Sequence, residues 1–182
     1  PWSAEMKLKR LPVYKNTQSL SYDELLSTVR KTAEKSGAQI KSVTQENLPE
    51  CEWVVSENSL YAVRAETDIG LISAFATGGV SINFSEPVAG NGTGRDAAGY
   101  FIEKYSSVIG FKNPVLCVTS DYDINGGESA EYRVYDGSGG DLKRVKSYNF
   151  GSVFFDINEN GGLESIRISS VDGAKRLGDY PI

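Results

Sequence analysis

Histidine is absent from the 182-residue chain, and methionine and cysteine are rare, with one and two copies. Histidine is the usual general base near neutral pH and the commonest transition-metal ligand, so chemistry that depends on it is excluded. Cys51 and Cys117 form no Cys-x-x-Cys motif, and two thiolates alone do not complete a zinc site. We interpret them as two buried thiols, with a single disulfide or a reactive cysteine as the alternatives.

Long hydrophobic runs and an excess of positive charge are missing as well. No run approaches the roughly 18 apolar residues of a membrane helix, so we expect no membrane insertion within this chain. The 19 Lys and Arg residues are outnumbered by 24 Asp and Glu residues, which gives a net charge of −5. An acidic chain repels the phosphate backbone, and the sequence therefore predicts no nucleic-acid partner.

Catalytic motifs are equally scarce. There is no Gly-x-Ser-x-Gly motif, and no histidine is present to activate a serine. Acidic residues are numerous, but the sequence singles out no two of them as the acid and base of a hydrolase. The sequence predicts no cofactor, and a carboxylate- or serine-dependent hydrolase is kept only as an alternative.

Two amphipathic helices are predicted from capping residues and apolar spacing. The first begins at Ser21, whose side chain caps the helix while Glu24 reaches back to it. The second takes its cap from Thr93 and Asp96, and a glycine follows each helix, at positions 37 and 110. Each helix has an apolar stripe at helical spacing: Tyr22, Leu25, Leu26, Val29 and Ala33 in the first, and Ala98, Phe101, Ile102, Tyr105 and Ile109 in the second.

Runs of β-type sequence follow each helix and are joined by short segments with the composition of turns. Because no helix interrupts either series, an antiparallel meander is favoured over parallel strands. The first series is 40–44, 59–66, 69–76 and 80–85. The second series is 115–119, 131–135, 142–148, 152–157 and 163–169.

The sequence therefore predicts an α+β fold, a tandem repeat of one helix packed on a four-stranded antiparallel sheet. Residues 1–89 form the first unit and residues 90–182 the second. Each helix covers one face of its own sheet, and the opposite face is left for solvent or a partner. The glycine-rich segment 90–95 is interpreted as a flexible linker, with anion binding at the following helix as the alternative.

Two segments carry a resemblance to a known family. Residues 150–168 hold two strands joined by the turn 156–162, and residues 11–16 precede the first helix. Together with the helix-and-meander pattern, they resemble the PepSY and YycI-like domains of secreted bacterial proteins, including lipoproteins of Gram-positive bacteria, and the tandem-repeat beta-lactamase-inhibitor-protein fold. The resemblance implies an extracellular or cell-surface location in a bacterium. It also implies a role in inhibiting or regulating a partner, such as a cell-envelope protein, rather than catalysis.

A partial calcium-loop motif is present at Asp121, Asp123 and Asn125, where alternate oxygen side chains precede a glycine. The twelfth position of that loop, which should supply a bidentate glutamate, is a tyrosine. A second partial match begins at Asp156 and has an arginine at the same place. Asx-Gly pairs between alternating segments are also a strong hairpin signal, so we interpret both segments as turns, with calcium binding as the alternative.

A short basic cluster surrounded by tyrosines is the candidate contact surface. Aromatic and arginine side chains commonly anchor protein interfaces, although a solvated sheet face is the alternative interpretation. A non-enzymatic extracytoplasmic binding or regulatory module is therefore the predicted function, with the hydrolase and a structural spacer domain of a surface protein as the alternatives. The predicted binding residues are Tyr132, Tyr135, Lys143, Arg144, Lys146 and Tyr148.

Overall fold

The computed structural model describes residues 10–16, 20–47, 61–110, 115–121, 128–133, 135–136, 143–144, 152–169 and 174–181. Their elements confirm the predicted α+β class with antiparallel strands. In chain order they are β1 (Arg10–Asn16), α1 (Tyr22–Ser36), β2 (Ile40–Asn47), β3 (Tyr61–Thr67), β4 (Gly70–Phe75), β5 (Gly79–Val88), α2 (Gly94–Lys104), α3 (Ser106–Ile109), β6 (Val115–Asp121), β7 (Glu128–Arg133), β8 (Tyr135–Asp136), β9 (Lys143–Arg144), β10 (Ser152–Ile157), β11 (Leu163–Ser169) and β12 (Ala174–Pro181).

Eight of the strands form one antiparallel sheet in the order β2-β3-β4-β5-β11-β10-β7-β6. Four strands from the first half of the chain therefore lie side by side, followed by four from the second half. The four-stranded sheets expected from the sequence are not separate, because β5 pairs with β11 and makes the sheet continuous. Two further pairs, β1 with β12 and β8 with β9, form small two-stranded sheets.

Helix α1 begins and ends where the sequence predicts. The Ser21 backbone N–H donates to Glu24 Oε2 at 2.8 Å, and the Glu24 N–H donates to Ser21 Oγ at 3.4 Å, which completes a capping box. Gly37 ends the helix with φ at 72°, in the left-handed region that glycine adopts without strain. One expectation was wrong: Tyr22, assigned to the apolar stripe, is exposed at the first position of the helix.

The second predicted helix is two helices. Helix α2 stops at Lys104, a turn at Tyr105 follows, and α3 continues for one turn to Ile109. Thr93 occupies the N-cap position of α2 but makes no side-chain capping hydrogen bond, in contrast to the prediction. The side chains assigned to its stripe do face inward, since Ala98, Phe101 and Ile109 are buried.

Both helices lie on one face of the sheet. Helix α1 packs on β2, β3 and β4, helix α2 packs on β7 and β10, and α3 contacts α1. Beneath them a row of buried apolar side chains crosses five strands in register: Ala65, Ile72, Ile82, Ile166 and Phe155. The isoleucine and phenylalanine side chains of this row each contribute about 1.5–3 kcal/mol when removed from water, so this face forms the core of the described part of the chain.

The glycine-rich segment before α2 packs against the turn between β10 and β11. A Cβ atom added to Gly161, whose φ is +76°, would lie 2.0 Å from the Gly92 carbonyl oxygen, and one added to Gly90 would lie 2.4 Å from the Gly161 carbonyl oxygen. Only glycine permits so close an approach of two backbones. The segment predicted as a flexible linker is therefore packed against the second half of the sheet.

Candidate binding surface on the open sheet face

The face of the sheet opposite the helices is the candidate functional site, and we call it the open face. Side chains alternate between the two faces of a strand, so the register of the strands assigns each residue to one of them. The described residues of the open face are mainly small and polar, with three larger apolar side chains: Ser42, Thr44, Glu46, Ala62, Arg64, Glu66, Leu71, Ser73, Phe75, Ser81, Asn83, Ser152, Phe154, Asp156, Ser165 and Arg167.

One row of the open face runs across five strands, and we call it the central row. Its members in register are Arg64, Ser73, Ser81, Arg167 and Phe154. The two serines are only 2% and 8% exposed, because they are short and their neighbours in the row are long. At about 4.8 Å between strands, the two arginines start about 14 Å apart, at either end of this recessed serine floor.

Arg64, at one end of the central row, is held by a single described carboxylate. Its Nη1 atom lies 2.8 Å from Glu46 Oε2, on the edge strand β2, and both side chains are partly exposed. Its Nε–H group is buried and, among the described residues, has no hydrogen-bond acceptor. A buried donor without an acceptor costs about 1–3 kcal/mol, so the guanidinium of Arg64 is incompletely satisfied.

Arg167, on the other side of the serine floor and next to Phe154 in the central row, is positioned by an aromatic ring and a carboxylate. Its Cζ atom lies 4.7 Å from the centre of the Phe154 ring, and its Nη2 atom lies 3.4 Å from Asp156 Oδ1. The second oxygen of Asp156 accepts a hydrogen bond from the Ser165 hydroxyl. The ring and the carboxylate both contact the guanidinium while 60% of the side chain stays exposed, so Arg167 is both positioned and accessible.

A second row of the open face, next to the central row, contains Glu66. Ser42 Oγ donates to Glu66 Oε2 at 3.2 Å. Leu71 and Asn83 follow Glu66 in register across β4 and β5. Glu46, Glu66 and Asp156 therefore each accept a hydrogen bond or an ion pair from a neighbouring side chain of the same face.

A cluster of aromatic and basic side chains lies on the helices, away from the open face. Lys104 Nζ lies 5.4 Å from the centre of the Tyr100 ring and 5.9 Å from that of Tyr105, and the Tyr105 ring lies 5.8 Å from that of Phe84. Burial, and to a smaller extent the neighbouring Tyr100, raises the pKa of Tyr105. A phenol whose pKa is raised stays neutral, so this cluster stabilises the packing of α2 rather than supplying a nucleophile.

The predicted contact residues are divided between two sheets. Tyr132 lies in β7 of the large sheet, where it pairs with Val153. Tyr135 pairs with Arg144, and Lys143 is next to Arg144, in the separate β8–β9 pair. The expectation of one long strand over 142–148 in the main sheet was therefore wrong for Lys143 and Arg144, which have other strand partners. Lys146 and Tyr148 lie outside the described residues, and a role of this group in binding stays a prediction.

The two partial calcium motifs have different outcomes. Asp121 is the last residue of β6, while Asp123 and Asn125 lie outside the described residues, so the first motif stays a prediction. The second is the predicted hairpin turn between β10 and β11: Asn158 Oδ1 accepts from the backbone N–H groups of Asn160 at 3.0 Å and Gly162 at 2.8 Å. Across the described ranges, no group of three or more Cys, Asp or Glu side chains is arranged to hold a metal ion.

The sequence interpretation missed Arg64 and Arg167. Both occupy polar positions of alternating strands, a signal that places them on a solvated face. Their membership of one row depends on the pairing of β5 with β11, which neither strand specifies in its own sequence. Local patterns therefore locate each arginine on a strand but do not bring the two together.

The comparisons with known proteins add no assignment. No family model, curated protein or solved structure matches the chain. Among the described helices, none combines the length and apolar character that crossing a bilayer requires.

Proposed function

We propose that the chain is a non-enzymatic binding or regulatory module that acts outside the bacterial cytoplasm, at the cell surface or in a secreted protein. The partner is a protein of the cell envelope, and it is contacted through the open face. The observation that carries the proposal is the asymmetry of the sheet: the described helices cover one face, and the other presents two partly exposed arginines beside a recessed serine floor. The resemblance of the helix-and-meander sequence pattern to PepSY-like domains supports the proposed location outside the cytoplasm.

We also propose that the two halves are a tandem repeat. In the strand order, β5 and β11 are central, and in each half the other strands of the large sheet follow outward in the reverse of their order along the chain. Exchange of the halves about this centre replaces Ile82 by Ile166 and Ile72 by Phe155, so apolar residues replace apolar ones on the helix-covered face. This correspondence is expected of two copies that keep one packing requirement.

On the open face the same exchange, which keeps the direction of the chain, takes Ser81 to Ser165, Asn83 to Arg167 and Leu71 to Phe154. Serine is therefore kept at one position and an apolar side chain at another, as expected of two copies of one unit. The exposed Arg167 has an uncharged counterpart in the first half.

The hydrolase alternative has less support from the same face. Ser165 donates to Asp156, which is the described arrangement closest to a nucleophile beside a base. Asp156 also accepts from Arg167 at 3.4 Å, so the carboxylate is shared between two donors. We therefore treat this trio as a device that positions Arg167.

Capture of the partner from the native cell envelope by two matched variants tests the proposal. Asn83→Trp places a large side chain on the open face, at an exposed position beside the serine floor, and Lys31→Trp places the same side chain on the outer surface of α1. We expect the wild type and Lys31→Trp to retain the same envelope protein and Asn83→Trp to lose it. Retention by Asn83→Trp, or equal loss by both folded variants, contradicts the proposal.

A further inference from the structure

We propose that Asn91 is a site of spontaneous deamidation in the folded protein, and that the isoaspartate it yields weakens the contact between the segment before α2 and the turn between β10 and β11. The inference is independent of the open face and of the partner proposed for it. Three observations carry it: the dipeptide itself, the groups that are free around it, and a second copy of the same dipeptide whose groups are engaged.

The dipeptide of Asn91 and Gly92 supplies both reacting groups. The backbone nitrogen of Gly92 attacks the side-chain amide carbon of Asn91, a bond forms between them, and ammonia leaves with the proton of the attacking N–H group. Glycine favours this step because it has no Cβ to obstruct the approach, and the reaction is intramolecular because the two residues are adjacent. Water then opens the five-membered imide at either carbonyl and gives aspartate or isoaspartate.

Both reacting groups at Asn91 are free within the described part of the chain. The side chain of Asn91 is exposed and makes no hydrogen bond there, and the backbone N–H group of Gly92 is exposed and donates to no acceptor there. Space is also available, since a Cβ atom added to Gly92 would meet only the Asp96 Cβ atom, at 3.4 Å. No hydrogen bond has to be broken before the Gly92 nitrogen can react.

Asn160 and Gly161 form the same dipeptide in a different environment. The Gly161 N–H group donates to the Asn158 carbonyl oxygen at 2.9 Å, and Gly161 is buried against the backbone of Gly92. The backbone N–H groups on both sides of Gly161 donate to the side chain of Asn158. Attack by the Gly161 nitrogen would break its hydrogen bond and shift the turn, so this dipeptide reacts only when the turn opens.

The isoaspartate product changes the packing of the segment before α2. Its main chain runs through the former side-chain carbon of Asn91, which lengthens the backbone between Gly90 and Gly92 by one methylene. These two glycines contact Gly161: a Cβ atom on Gly90 would lie 2.4 Å from the Gly161 carbonyl oxygen, and one on Gly161 would lie 2.0 Å from the Gly92 carbonyl oxygen. A longer backbone between two such close contacts cannot keep both. Aspartate, the other product, adds the same charge and leaves the main chain unchanged.

Incubation of the full chain at mildly alkaline pH, followed by peptide mapping with mass spectrometry, tests the site. In guanidinium chloride, where both dipeptides are unfolded, we expect Asn91 and Asn160 to convert at similar rates. In the folded protein Asn160 should convert about tenfold more slowly than in denaturant, because the turn must open first, whereas Asn91 should stay within about threefold of its rate in denaturant. Mapping also separates both sites from the Asn-Gly pair at 125–126, which lies outside the described residues.

A matched variant separates the longer backbone from the added charge. Asn91→Asp carries the charge of the deamidated protein without the extra methylene. Anion exchange isolates the aged protein, and peptide mapping selects the fraction converted at residue 91 alone, which contains isoaspartate as well as aspartate. We expect this fraction to unfold at a lower concentration of guanidinium chloride than Asn91→Asp, because only isoaspartate disturbs the contact with Gly161.

Three results would overturn the inference. The first is no conversion at Asn91 in the folded protein, and the second is equal protection of Asn91 and Asn160 on folding. The third is an aged fraction that unfolds at the same denaturant concentration as Asn91→Asp, because the isoaspartate would then leave the contact intact.

Discussion

At the scale of single residues, two glycines of the chain share a left-handed backbone conformation, but only one of them also has no room for a side chain. Gly37 and Gly161 both adopt positive φ, at 72° and 76°. A Cβ at Gly37 would meet nothing within 4 Å, whereas one at Gly161 would meet the Gly92 carbonyl oxygen at 2.0 Å. The two glycines therefore share a backbone conformation and differ only in what surrounds them.

Substitution of these glycines separates the two effects. Gly37→Ala should cost about 1–2 kcal/mol of unfolding free energy, the price of a left-handed conformation for an L-residue. Gly161→Ala should cost about 1–3 kcal/mol more, because the added carbon overlaps the opposite backbone. Urea denaturation of both variants measures the difference. Equal losses of unfolding free energy would show that the segment before α2 moves away from the added carbon at no cost.

Glu24 gives a prediction of pH dependence. The backbone N–H of Ser21, and then its hydroxyl, lower the pKa of Glu24 below its ordinary value of 4.5. A carboxyl whose pKa is lower in the folded state stabilises the fold above its unfolded pKa, and this contribution is lost as the pH falls through the folded pKa. Glu24→Gln should therefore lose less stability than the wild type between neutral pH and the region below 4.5. Parallel acid profiles in urea denaturation would contradict this assignment.

At the scale of elements, a sequence-based prediction is accurate where the residues that determine the structure are close together in the sequence. Helix α1 was predicted to the residue at its cap because Ser21 and Glu24 are three positions apart and bond to each other. The break of the second helix at Tyr105 has no such local signal. The turn predicted over 156–162 has a local cause, because its Asn and Gly residues make its own hydrogen bonds. The separation of the β8–β9 pair from the large sheet has no such local signal.

The two helix caps provide a matched pair of substitutions. Ser21→Ala should cost about 1 kcal/mol, because its hydroxyl accepts the Glu24 backbone N–H in the capping box. Thr93→Ala should cost clearly less, because the Thr93 side chain makes no capping hydrogen bond to α2. Thermal denaturation of both variants measures this order. A larger loss for Thr93→Ala would mean that α2 depends on its first residue for another reason.

At the scale of the whole molecule, the pairing of β5 with β11 joins the two halves into one sheet. The buried row from Ala65 to Phe155 crosses this junction without interruption, and α1 contacts α3 above it. Unfolding of either half would therefore expose apolar surface of the other half to water. The sequence indicated both helices and most strands, but this junction joins residues far apart in the chain and had no signal in either segment.

Cooperativity between the halves follows from this junction. Leu25→Ala, at a fully buried position in the first turn of α1, should cost about 2–5 kcal/mol and lower the amide-exchange protection of β10 and β11 by the same free energy. Hydrogen exchange followed strand by strand measures the effect. Protection of β10 and β11 that is unchanged in this variant would show that the halves unfold separately.

The junction also affects how the chain is made. Ile82 of β5 pairs with Ile166 of β11, which is synthesised 84 positions later. At about 5–20 residues per second, the first half waits roughly 4–17 s on the ribosome with the hydrogen-bonding edge of β5 unpaired. An apolar strand with a free edge is a template for pairing with a neighbouring nascent chain. Slow codons between β5 and β11 would lengthen that interval and favour misassembly of neighbouring copies, whereas a chaperone bound to β5 would prevent it.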